Sequence, residues 1–312
     1  MSTSALWEPG RDQIAATQMT RFQHFVEHRH HTTFSSYNEL HQWSIEQPEL
    51  FWQAVWDFCG VISDAQPEQV VTDLDSFPGA RWFPGSRLNF AQNLLQFQDD
   101  KPALVSLQEN GKRTSLTYAE LFQAVEKLAA GMRSMGIVQG DRIAGFMPNI
   151  PETVIAMLAT TSIGAIWSSS SPDMGPVSVL DRFRQIEPKV LYAVDGYRYG
   201  GKDFDRLPTV RELVRELPTV HTVVLVPYLN AQASLENLDA GLDAQGNPRQ
   251  VRVVSWGQAL AQAAAPRFAS LPFDHPLWIV YSSGTTGMPK PIVHGHGGSI
   301  LEGMKGNVIR SE

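Results

Sequence analysis

Tyr281-Ser282-Ser283-Gly284-Thr285-Thr286-Gly287-Met288-Pro289-Lys290-Pro291 follows the apolar run 277–280 and precedes His294 and Gly297-Gly298. These eleven residues hold four Ser or Thr hydroxyls, two glycines and one lysine. The mixture suits an anion. Glycine lets peptide N–H groups turn inward, small hydroxyls donate without crowding, and an ammonium supplies charge. The apolar run predicts a buried strand over 277–281 that delivers the loop. Loops at the carboxyl ends of strands are where parallel α/β sheets bind ligands.

Counting separates this loop from its rivals. A Walker A loop has four residues between its glycines and ends Gly-Lys-Ser/Thr, whereas two residues separate Gly284 from Gly287 and Lys290 follows Pro289. The G-x-G-x-x-G spacing of a dinucleotide site is absent from this loop. A flexible Ser/Gly surface loop is the plain alternative, but such loops rarely follow a buried strand with an ordered T-G-x-P-K pattern.

Upstream, the chain from 102 onward alternates apolar strands with amphipathic helices. Strands are predicted at 103–107, 142–147, 165–168, 190–194, 220–226, 251–254 and 277–281. Helices are predicted at 117–135, 151–163, 177–186, 210–217 and 256–264. Thr117 with Glu120 forms a capping-box pattern, and Gly136 closes that helix. Such alternation predicts a mainly parallel sheet flanked by helices on both faces. A polar excursion rich in Gly, Asn and Asp fills 230–249. Residues 1–98 read instead as a helical, aromatic-rich leader without strand alternation, ending in the turn and helix of W-F-P-G-S-R-L-N-F-A-Q-N-L-L at 82–95.

Composition narrows the function. A net charge of −7 over 312 residues argues against a nucleic-acid surface, which needs a basic face. The single cysteine, Cys59, excludes an internal disulfide and favours a reducing compartment. The first residues lack a basic start followed by an apolar run, and no long apolar span occurs, so a cytoplasmic protein without a membrane span is expected. No feature fixes an oligomeric state.

Four further groups have competing readings. His24, His28, His30, His31 and His41 lack the spacing and carboxylate or thiol partners of a metal site and read as solvated surface. Ser168 to Asp173 lacks a G-x-S-x-G elbow and reads as the capped entry to the helix at 177. Asp195-Gly196-Tyr197-Arg198-Tyr199-Gly200-Gly201-Lys202 places two cations around a Gly pair, either a phosphate seat or a solvent-facing turn. His294 and His296 would touch substrate phosphate or satisfy backbone groups; both readings stand.

Y-S-S-G-T-T-G-M-P-K resembles the signature loop of the adenylate-forming enzymes, which include acyl-CoA synthetases, peptide-synthetase adenylation domains and luciferases. The resemblance implies an α/β fold: an incomplete N-terminal domain of the adenylate-forming fold, mainly parallel sheet flanked by helices, preceded by a helical leader. It implies a leader at 1–98 and the first part of a synthetase domain at 99–312. It implies ATP-phosphate contacts from Ser282, Ser283, Gly284, Thr285, Thr286, Gly287 and Lys290, with Thr286 and Lys290 catalytic. It also implies that Arg198 and Lys202 hold the phosphates of coenzyme A, and that Mg²⁺ accompanies ATP without a ligand in this stretch. Pro291 departs from the family's usual Gly and removes one backbone N–H.

Trp7-Glu8-Pro9 through Phe22, the 82–95 segment, and 167–173 followed by Leu180-Asp-Arg-Phe-Arg-Gln-Ile-Glu-Pro-Lys-Val190 resemble the acetoacetate-using acyl-CoA synthetases more closely than the acetate-using ones. The implied reaction is ATP-dependent ligation of acetoacetate to coenzyme A through an acyl-adenylate, on small-molecule substrates. The alternatives are an acetate- or propionate-using synthetase and a nucleotide-binding product without catalysis. Relatives run about twice as far. The 312 residues alone are therefore expected to give no ATP–diphosphate exchange above background with acetoacetate or acetate.

Overall fold

The computed structural model describes residues 7–262, 267–282 and 287–310. Two compact units form, one from 1–88, 272–274 and 297–312, the other from 89–271 and 275–296.

In the first unit, helices α1 (Arg11–Ala16), α2 (Gln18–His30), α3 (Tyr37–Glu46) and α4 (Pro48–Cys59) follow one another. Pro48 occupies the first turn of α4, where its missing N–H is no loss, and Gly60 ends the helix at φ +66°. The aromatic residues of the leader form its core. Phe22 meets Phe51 and Phe58 edge-on, and Trp56 stacks on Phe83, which stacks on Phe273. Two short antiparallel pairings also occur, Val71–Thr72 with Arg81–Trp82 and Ser63–Ala65 with Arg87–Leu88. Their lengths are too short for a period-2 pattern, which is why the sequence shows no strand here. Of the leader histidines, His24, His28, His31 and His41 are exposed, while half-buried His30 lies beside Trp43.

The second unit is organised by a seven-stranded sheet. Its strands are β1 (Arg142–Phe146), β2 (Ile166–Ser170), β3 (Val190–Val194), β4 (Thr222–Val226), β5 (Arg252–Ser255), β6 (Pro276–Ser282) and β7 (Lys290–Gly295). The spatial order is β5-β4-β3-β1-β2-β6-β7, with every neighbour parallel except the antiparallel pair β6–β7. The order reverses between β1 and β3, where the crevice of an open α/β sheet lies.

Alternation along the strands sends side chains to two faces. Leu191 and Ala193 join Val223, Leu225, Ile279 and Tyr281 under α8 (Pro176–Phe183) and α9 (Leu207–Glu216). On the other face Tyr192 meets Trp256, and Trp278 meets Phe90. That face carries α5 (Phe90–Leu94), α6 (Tyr118–Ser134), α7 (Pro151–Ser162) and α10 (Trp256–Ala259). Burial of each such large apolar side chain contributes roughly 1.5–3 kcal/mol, so both layers are needed. Thr117 and Glu120 close the expected capping box at the start of α6. Gly131 is required where α6 meets α10, because a Cβ there would lie 2.1 Å from the Ala259 carbonyl oxygen.

Several elements differ from expectation. The serines at 168–170 continue β2 rather than cap a helix; α8 starts after Gly175 with Pro176 in its first turn and no side-chain cap. Ser168 is tolerated in a buried strand because its Oγ donates to the Ile279 carbonyl at 2.8 Å. α10 stops at Ala259, short of the expected 264, and residues 263–266 lie outside the described ones. The strand β7 and the hairpin Gly196–Tyr199/Lys202–Asp205 were not anticipated.

Candidate functional site

Ser283, Gly284, Thr285 and Thr286 lie outside the described residues, so the loop is known from its two feet. β6 ends at Ser282 and β7 begins at Lys290, and these two residues face each other directly in the antiparallel register. Directly opposed residues share a face, so the hydroxyl and the ammonium emerge on the same side. Lys290 is exposed, and among the described residues it has no carboxylate partner. Gly287 sits at φ +119°, a conformation that side chains rarely adopt. Pro291 pairs with Tyr281 in β7, the sheet's last strand among the described residues, where a missing N–H breaks no inner ladder.

A brace absent from the sequence reading holds both feet. Tyr281 Oη donates to the Arg182 carbonyl at 2.9 Å, and the Arg182 guanidinium carbon lies 5.7 Å from the Tyr281 ring centre. Gln185 Nε2 donates to the Pro289 carbonyl at 2.9 Å. One helix and its C-terminal extension thus tie the residue before Ser282 and the residue before Lys290. Gln185→Ala is expected to lower stability by less than about 1 kcal/mol, the scale of one exposed hydrogen bond. The shift in the thermal melting midpoint checks this.

His296 is fully buried and accepts the Phe90 backbone N–H on Nδ1 at 3.1 Å, while His294 is exposed beside Trp278. For His296 the backbone reading therefore holds. Burial, with His275 close by, pushes its pKa down to about 3. The native ring stays neutral while the unfolded chain gains a proton below about pH 6.5. This contribution is present above pH 6.5 and is lost as pH falls toward 3, at up to about 1.4 kcal/mol per pH unit. Urea midpoints at pH 7.5 and 5 should converge between wild type and His296→Asn as pH falls.

The second cluster follows β3 at the strand-order reversal. The ladder of its hairpin opposes Arg198 to Asp203 and Tyr199 to Lys202. Successive pairs point to opposite faces, so Arg198 and Lys202 do not flank one point. Arg198 grips Asp203 through Nε at 2.6 Å and Nη2 at 2.8 Å, which holds the Asp203 carboxyl below the usual range. Gly200 and Gly201 donate their N–H groups to the two carboxylate oxygens of Glu109, at 2.8 and 3.1 Å. Arg206, also unanticipated, lies over the Tyr197 ring at 5.0 Å and donates to the Pro172 carbonyl. Buried Asp195, at the carboxyl end of β3, accepts the N–H groups of Tyr228, Leu229 and Asn230 at 2.6, 3.0 and 2.7 Å.

Among the described residues no three His, Cys, Asp or Glu side chains gather to hold a metal ion. No helix among them is long and apolar enough to cross a membrane.

Comparison with known proteins places these features. Residues 37–94 match the model of the acetyl-coenzyme A synthetase N-terminus. The acetoacetyl-CoA synthetase of Xenopus tropicalis is 39% identical over 315 residues, covering 99% of this chain and 46% of that protein. The acetoacetyl-coenzyme A synthetase of Rhizobium meliloti is 42% identical over 308 residues, covering 96% and 44%. The solved acetoacetyl-CoA synthetase from Streptomyces lividans superposes with a TM-score of 0.88 at 42% identity, covering 97% of this chain and 45% of that one. The chain thus spans a little under half the length of these relatives, and its architecture is that of the adenylate-forming fold. Residues 90–310 match the model described as AMP-binding enzyme. Since that match takes in more than two thirds of the 312 residues, the chain belongs to the AMP-binding enzyme family.

Proposed function

We propose that this chain, as a leader at 1–98 followed by the first part of a synthetase domain at 99–312, grips the phosphates of ATP for the ligation of acetoacetate to coenzyme A. One observation carries the reading. Ser282 and Lys290 stand opposite each other at the carboxyl end of β6, with Lys290 uncommitted to any described carboxylate.

In the first step an acetoacetate carboxylate oxygen bonds to the α-phosphorus of ATP. The bond to the bridging oxygen breaks, and diphosphate leaves with the electron pair. In the second, the sulfur of coenzyme A bonds to the acyl carbon, the carbon–oxygen bond to AMP breaks, and the thiol proton is released. The protein's task in the first step is electrostatic, because charge gathers on the departing diphosphate. Ser282, Ser283, Gly284, Thr285, Thr286 and Gly287 supply donors, and Lys290 with Thr286 meets the charge at the reacting phosphate. Arg198 and Lys202, on opposite faces of their hairpin, would meet different phosphates of coenzyme A. Mg²⁺ supplies charge neutralisation on the phosphates when bound. Among the described residues no three His, Cys, Asp or Glu side chains gather to hold it, so the phosphates themselves would supply much of its coordination.

Calorimetric titration of the chain with ATP and with AMP tests the reading. ATP is expected to bind at least about tenfold more tightly than AMP, since the cation and the loop amides act on the extra phosphates. Equal affinities would overturn it.

A further inference from the structure

Two successive peptide N–H groups that converge on one point make an anion nest. The turn Gly200-Gly201 is such a nest: both residues have positive φ, +58° and +73°, and both N–H groups meet the Glu109 carboxylate. Glu109 comes from a distant element. It sits on the tip joining the strands Pro102–Leu107 and Arg113–Thr117, a tip ordered by the Gln108 N–H donating to the Lys112 carbonyl. Between the two tips lies a cavity of about 100 Å³ lined by Gln108, Glu109, Asn110, Arg198, Tyr228 and Leu229. The chain has therefore placed one of its own anions where a ligand anion would meet Arg198.

A neighbouring carboxylate gives the contrast. Asp195 also fills a nest of backbone N–H groups, yet it is only 4% exposed and holds three of them, so its removal would leave buried donors unpaired. Glu109 is exposed, and its two donors are exposed as well, so water can take its place on either side. One carboxylate is a fixture; the other can leave.

We infer that Glu109 is a displaceable internal anion that occupies the Gly200–Gly201 nest until a substrate phosphate monoester exchanges with it. This rests on the reading of the Arg198 hairpin as a coenzyme A phosphate seat. A phosphate reaching Arg198 with Glu109 in place meets like charge from Glu109 and Asp203, whereas with Glu109 swung into solvent it gains two N–H donors. Occupancy by Glu109 reduces apparent affinity by the fraction of time the nest is open. A doubly charged phosphate displaces the carboxylate more readily than a singly charged anion does, so Glu109 sharpens selection for the dianion.

The test uses the whole chain and adenosine 3′,5′-bisphosphate as the probe, with titration calorimetry and the amide resonances of Gly200 and Gly201. Glu109→Gln should leave the melting temperature unchanged, shift both resonances without probe, and tighten probe binding about fivefold. Glu109→Asp, with a shorter reach, should fall between. Probe binding to wild type that Glu109→Gln leaves within twofold, or weakens, would overturn the inference while the seat stands. If the probe binds neither protein, or binds Arg198→Ala as well as wild type, the phosphate seat itself falls and the inference with it.

Discussion

Replacing Asn89 by alanine is expected to destabilise the sheet-bearing unit by about 3–5 kcal/mol, since several buried polar groups would lose their partners together. Asn89 is fully buried and works with both ends of its amide. Its Nδ2 donates to the carbonyls of Thr161, Ser162 and Ala269 at 3.2, 3.1 and 3.0 Å. Its Oδ1 accepts the N–H groups of Ala91 and Gln92, which caps α5. Alanine keeps neither function. Loss of the cap alone is worth about 1 kcal/mol, and each stranded buried carbonyl about 1–3 kcal/mol. Asn89→Ser retains an oxygen for the cap but cannot serve the carbonyls, so it should recover only about 1 kcal/mol of the loss. Urea unfolding checks both variants. A loss below about 1 kcal/mol for alanine would mean that the amide's five contacts are not what joins α5 to the end of α7.

The second large effect concerns ligand. Lys290→Ala should lower affinity for ATP by about 10- to 100-fold, the range for removing one cation from a solvent-accessible phosphate site. Because Lys290 has no described carboxylate partner, its removal strands no internal charge, and the melting temperature should move little. Affinity for AMP should change far less, since AMP lacks the phosphates that the ammonium meets. Lys290→Arg keeps the charge and should recover most of the binding. Raising the salt should erode the wild-type advantage over alanine as exposed charges are screened. An unchanged ATP affinity in Lys290→Ala would remove the loop from phosphate recognition.

Most of the fold could be read from residue pattern because its strongest signals are long. Val190–Val194 and Thr222–Val226 are unbroken runs bounded by polar turns, and 117–136 carries a capping box at one end and Gly at the other. The misreadings have local causes. Ser168–Ser170 looks like a cap because serine favours caps, but parallel pairing with Ala144–Phe146 and the bond from Ser168 to the Ile279 carbonyl, more than a hundred residues away, hold it as a strand. β7 is flanked and interrupted by proline, which argues against an inner strand, yet an outer antiparallel strand tolerates it. For the site, the strand that ends at Ser282 could be expected from the apolar run 277–280, whereas the contacts that hold the loop's two feet could not. Gln185 and Arg182 act on the loop from about a hundred residues away, and Glu109 reaches Gly200 across 91 positions. No local pattern encodes such meetings.

The strand order carries a consequence for how the protein is made. β2 receives its outer neighbour β6 only after about a hundred further residues have been added, while β3 and β4 are already in place on the far side of β1. At about 5–20 residues per second on the ribosome, the flank of β2 waits on the order of 5–20 s with its peptide groups unsatisfied. Nascent chains should therefore be most adhesive in that interval, and chaperone capture should fall off once Pro276–Ser282 has emerged.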